Sequence, residues 1–126
     1  MFQRIVIATD GSATALRAEE RGMRLAGRLG ATVTFVCAGS PERSTAVAEA
    51  ARERWALDAQ EHGVALDVHV GSGDAASVIL DAAESLGADL IVVGNKGMQG
   101  ARRLLNSVPN KVGHHAHCAV LVVKTT

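Results

Sequence analysis

Two short segments hold the residue types and spacings in this chain that are suited to chemistry. One is Thr9-Asp10-Gly11-Ser12, directly after an apolar run. The other runs from Gly94 to Ser107: Gly94-Asn95-Lys96-Gly97, a stretch containing Arg102 and Arg103, then Asn106-Ser107 at the start of a helical pattern. Glycines at 94 and 97 let backbone amides approach an anion closely, because no Cβ stands in the way. A serine that opens a helix adds a hydroxyl and the free amides of the first turn, at the positive end of the helix dipole. Lys96, Arg102 and Arg103 add charge. Together these suit a phosphate chain. The same spacing also reads as an ordinary turn followed by a serine N-cap, with the arginines in solvent, since Gly-x-x-Gly alone is common. The P-loop and the dinucleotide fingerprint both need a glycine-rich turn after the first strand, and Asp10-Gly11-Ser12 is not that turn.

The elements that must position these segments follow from composition and periodicity. The chain has 126 residues, 48% of them hydrophobic, which bounds it to one domain with ample core. Only 2% are aromatic, with a single Trp55 and no Tyr, so the core is built of Val, Ile, Leu and Ala. That suits a parallel sheet covered by helices. Thirteen basic and 13 acidic residues cancel, which argues against a nucleic-acid or membrane-surface role. The segment Met1 to Ala8 is read as carrying no secretory leader, and no apolar run approaches a membrane span. Cys37 and Cys118 each sit in an apolar run and are read as reduced core thiols of a cytoplasmic protein.

Strands are expected at Arg4–Thr9, Thr32–Ala38, Val64–Val70, Asp89–Val93 and Cys118–Val123. Helices are expected over about Ala13–Leu29, Ser44–His62, from the cap Asp74 to Gly87, and from near Ser107 to near His115. Helix 1 has an apolar face of Ala15, Ala18, Gly22, Leu25, Ala26 and Leu29, and a basic stripe of Arg17, Arg21, Arg24 and Arg28. The alternation implies right-handed crossovers in an α/β domain. Strand 3 alternates polar and apolar residues and belongs at an edge; strands 1 and 4 are apolar on both faces and belong in the middle. A five-stranded parallel sheet in the flavodoxin-like order 3-2-1-4-5, with helices on both faces, satisfies this, and 2-1-3-4-5 remains open. In such a sheet, ligands bind beyond the carboxyl ends of the strands, at the switch point between strands 1 and 4, where the two segments converge. The loop from Asn95 to Asn106 is long for so small a domain, which marks it as functional.

ATDGS after strand 1, GADLIVVGNKG at strand 4, and LLNSVPNKV followed by CAVLVVK resemble the universal stress protein family over the whole chain, residues 1–126. The resemblance implies the order 3-2-1-4-5, a homodimer, a further unidentified protein partner, and a role as a regulatory module in stress response. Some family members bind ATP and others do not. The binders carry Gly, two residues, Gly, nine residues, then Gly followed by Ser or Thr. Here Gly94 and Gly97 match the first half; eight residues follow, Met98 to Leu105, and then Asn106-Ser107. The loop is one residue short and its last glycine is Asn, the non-glycine residue best suited to a left-handed conformation. The resemblance implies ATP or another adenine nucleotide, with or without Mg. Asp10 would stand at the adenosine end, Val36 and Cys37 at the adenine wall, Gly94, Lys96 and Gly97 at sugar and phosphates, and Asn106, Ser107 and Val108 at the phosphates. The alternative is a dimeric interaction protein with a vestigial site.

An enzyme is not expected. No second carboxylate or histidine lies in the loops beside Asp10, whose expected roles are a hydrogen bond to ribose or adenine, or the cap of helix 1 through Asp10 or Ser12. His114 and His117 stand three apart beside Cys118 and are read as cations ending a helix rather than as metal ligands. Strand 5, Cys118 to Val123, is apolar without alternation yet falls at the monomer's edge. It is therefore the expected dimer contact.

Overall fold

The computed structural model describes residues 2–95 and 107–125. Nine elements follow one another: β1 (Arg4–Thr9), α1 (Ala13–Leu29), β2 (Thr32–Cys37), α2 (Pro41–His62), β3 (Leu66–Val70), α3 (Ala75–Leu86), β4 (Leu90–Gly94), α4 (Ser107–His115) and β5 (Ala119–Val123). The sheet is parallel throughout, in the order β3-β2-β1-β4-β5. This bears out the flavodoxin-like order and removes 2-1-3-4-5.

Period-two side chains split the core. Ile5 and Ile7 of β1 face α1 and α2 with Val33, Phe35, Trp55 and Val92. Val6 and Ala8 face the other way, with Val36, Ile79, Ile91 and Val112, under α3 and α4. β1 is buried at five of six positions, and β4 at four of five, as central strands must be. β3 and β5 are largely half-buried or exposed, as edges are. Helix α1 lies close on the sheet because position 22 has no side chain. A Cβ there would stand 2.6 Å from Ile7 Cδ1.

Local chemistry sets the element ends; β2 stops at Cys37 rather than Ala38, β4 is shifted by one residue to Leu90–Gly94 from Asp89–Val93, and the starts of α2, β3 and β5 also differ from expectation. Helix α2 starts at Pro41 rather than near Ser44. Proline fits the first helical position, and the Ser40 hydroxyl accepts from the Arg43 amide at 3.2 Å. β3 starts at Leu66 rather than Val64, because the Val64 amide donates to Ala59 O at 2.8 Å and so belongs to the stop of α2 around Gly63. β5 begins at Ala119, one residue after Cys118. Both cysteines are free. They sit at opposite ends of strands three spacings apart, about 14 Å laterally, well beyond disulfide reach. Cys37 is a core thiol as expected, whereas Cys118 is only half-buried at the rim.

Candidate functional site

The site is laid out by register. Thr9 of β1 is level with Cys37 of β2, and Cys37 with Val70 of β3. On the other side Gly94 of β4 is level with Val123 of β5. The β1–β4 pairing Ile7↔Val92, continued two residues, sets Thr9 level with Gly94. One row across the carboxyl edge therefore carries the start of both segments. β1 is also where the crossovers reverse, since β2 lies to one side and β4 to the other.

The first segment is a tight turn that starts buried, at Thr9 and Asp10, and emerges at Gly11. Asp10 is 8% exposed. Its Oδ1 accepts the Ser12 amide at 2.9 Å, closing an Asx turn. Ser12, not Asp10, caps α1: its hydroxyl accepts the Ala15 amide at 3.1 Å. Gly11 has φ +78°, and a Cβ there would meet both Val47 methyls at 3.0 Å, so this position is held for glycine by conformation and by α2.

Behind the turn lies a carboxylate that sequence reasoning missed. Glu19 of α1 is 2% exposed. Its Oε2 accepts the Thr9 hydroxyl at 2.5 Å, and its Oε1 accepts the Trp55 indole N–H and one Arg54 guanidinium N–H, both at 2.9 Å. A buried charge requires such partners. Trp55 stacks on Phe35 with ring centroids 4.2 Å apart. The signal was present: Glu19 lies four residues after Ala15 and three before Gly22, inside the apolar stripe of helix 1.

Val36 and Cys37 end β2 beside this turn, but both side chains are buried and they face opposite layers. Burial, with Glu19 as a lesser cause, raises the Cys37 thiol from 9.0 to about 11. The second segment leaves the sheet at Gly94, and Asn95 fixes that exit. Its amide donates to Val123 O at 2.9 Å, and its side-chain oxygen accepts from the Thr125 amide and hydroxyl. Lys96, Gly97 and Asn106, with Arg102 and Arg103, lie outside the described residues. Ser107 is the first residue of α4 and Val108 is half-buried.

At the other end of the sheet, a cleft of about 320 Å³ lies among α3, the end of α4 and the start of β5, lined by Leu80, Ala83, Glu84, Ile91, His117 and Cys118. His117 Nε2 stands 3.1 Å from Glu84 Oε2, so this histidine pairs across elements rather than only ending a helix. Among the described residues no group of three or more His, Cys, Asp or Glu is placed to hold a metal ion. No helix among them is long and apolar enough to cross a membrane.

The family model for the universal stress protein family matches residues 1–124. A universal stress protein of Methanocaldococcus jannaschii is 34% identical over an alignment covering 98% of this chain and 83% of that one. Among solved structures, a universal stress protein in complex with cAMP matches with TM-score 0.82 and 26% identity, over 99% of each chain. One from Archaeoglobus fulgidus in complex with dAMP shares the fold, with TM-score 0.75 and 22% identity over 98% of each. The sheet order agrees with the fold of these matches, and the chain belongs to the universal stress protein family.

Proposed function

We propose that this protein is an adenine-nucleotide-binding regulatory module, with ATP as its ligand, acting as a homodimer joined through β5. The observation that carries the reading is the row that sets the Asp10 turn and the Gly94 exit side by side at the switch point. The similarity to a protein in complex with cAMP adds the ligand class.

The donor set fits a nucleotide. A buried carboxylate, Asp10, accepts hydrogen bonds from the sugar or base. The backbone amides at Gly94 and Gly97, the Lys96 ammonium, Asn106, and Ser107 and Val108 of α4 would meet the phosphates, with or without Mg as counter-ion. Because the Val36 and Cys37 side chains are buried, the adenine wall here is the backbone edge at the end of β2. No catalytic role is assigned to any residue; the reading is of binding that changes what a partner protein meets.

The test is calorimetry with ATP, ADP and AMP, beside native mass measurement of the freshly purified protein. Binding, or a co-purified nucleotide adduct of roughly 500 Da, supports the reading. Absence of both, with an intact dimer, supports the alternative: an interaction protein whose site was lost with the shortened loop.

A further inference from the structure

We propose that Glu19 is a positioning residue for the ligand turn and couples that turn to helix α2 through Trp55. The inference rests on the nucleotide reading and deepens it, by naming how occupancy of the site would reach another surface of the molecule.

The chain of contacts is short. The Gly11 amide donates to Thr9 Oγ1 at 3.1 Å, and the Thr9 hydroxyl donates to Glu19. The other Glu19 oxygen receives Trp55 and Arg54 of α2. The polarity is forced. A carboxylate only accepts, so the single Thr9 proton must point to Glu19, and the Thr9 lone pairs must face the Gly11 amide. That orientation sets the peptide between Asp10 and Gly11, beside the carboxylate that meets the ligand. Val47 of the same helix stands over the turn, where a Cβ added at Gly11 would meet both of its methyls at 3.0 Å. Any ligand that shifts Asp10 therefore moves Thr9 and Gly11 against α2. The far end of the chain is visible, because Arg54 is about half exposed while Glu19 and Trp55 are buried.

Stability does not explain the arrangement. Replacing a buried, paired charge by apolar groups of similar volume is often neutral or stabilising. Such a replacement has to include the partners, because a leucine at position 19 alone would leave the Trp55 N–H and the Thr9 hydroxyl without their acceptor. Holding the turn in one geometry is what the carboxylate adds.

Trp55 is the only tryptophan, so its emission reports this network. The experiment titrates ATP into wild type, Glu19→Gln and the double variant Thr9→Val/Glu19→Met, following heat by calorimetry and Trp55 emission on the same samples. Thermal melts establish that each variant is folded. Wild type is expected to show a saturable emission change with the same midpoint as the heat. The double variant is expected to stay folded, to lose the emission change and to bind about tenfold more weakly, the scale of one displaced hydrogen bond to a charged group. Glu19→Gln, which can donate as well as accept, is expected to fall between them. If wild type binds ATP by calorimetry with unchanged Trp55 emission, or if the double variant binds as tightly as wild type, the coupling is wrong and the nucleotide reading stands. If wild type produces no heat with ATP, the nucleotide reading fails and the coupling fails with it.

Discussion

The side-chain oxygen of Asn95 accepts both the amide and the hydroxyl of Thr125, at 2.8 and 3.0 Å, across 30 positions of sequence. The residue at which the chain leaves β4 is thus bonded to the residue that follows β5. The end of β4 is thereby held to the edge strand. Asn95→Ala is expected to lower stability by about 1–3 kcal/mol, the cost of leaving these partners unsatisfied, measured by urea unfolding. It is also expected to weaken ATP binding, because Gly94 loses its anchor. Unchanged stability would mean that water replaces Asn95 without cost.

The edge of β5 predicts the oligomer. Val122 is 47% and Leu121 38% exposed on a strand with one open side. An uncovered apolar edge invites pairing. Val120→Asp with Val122→Asp is expected to convert a dimer to monomer or aggregate in sedimentation velocity. A dimer that survives both substitutions places the contact elsewhere.

Loop length predicts affinity. Replacing Asn106 by Leu-Gly restores nine residues and a glycine before Ser107. This insertion is expected to tighten ATP binding about tenfold or more in calorimetry, on the scale of one charge-assisted bond to phosphate. Gly97→Val is expected to weaken binding in either background. Tight binding by wild type with no gain from the insertion would show that the eight-residue loop is a working geometry.

Alkaline stability should report Cys37. Its thiol is raised from 9.0 to about 11 by burial first, then by Glu19. The folded state holds the proton more tightly than the unfolded chain. This contribution is therefore complete below pH 9 and lost as pH rises from about 9 to about 11. Chemical denaturation followed from just below this window up to about pH 11 should show a decline that flattens in Cys37→Ala. An equal decline in both proteins would assign it to other groups.

Much of the fold was legible because each element obeys a local rule. Ser12 and Asp74 cap helices as their types suggest, Gly30 and Gly87 end them, and β1 and β4 are apolar on both faces. The misplaced boundaries lie where two local signals compete. Pro41 outranked Ser44 as a start, and Val64 was taken by the helix stop instead of the strand. Of the candidate site, the sequence could propose Asp10, Gly94 and Ser107 from motif and position, and the register sets Thr9, next to Asp10, level with Gly94. Glu19 and Asn95 could not be assigned, because their partners stand 36 and 30 positions away.

The sequence by itself determined the number and kind of elements, the strands that must be central, and that the segments after β1 and β4 leave the same edge of the sheet. Those depend on periodicity, capping and the right-handed crossover, all of which act within tens of residues. Only the tertiary structure decided which side chains share a layer, which groups the carboxylate in the apolar stripe of α1 bonds, and that the ends of β4 and β5 are tied together. These are properties of strand register. Register brings Thr9, Cys37 and Gly94 into one row and carries Thr9, Glu19 and Trp55 into one hydrogen-bonded set, and no local rule along the chain contains it.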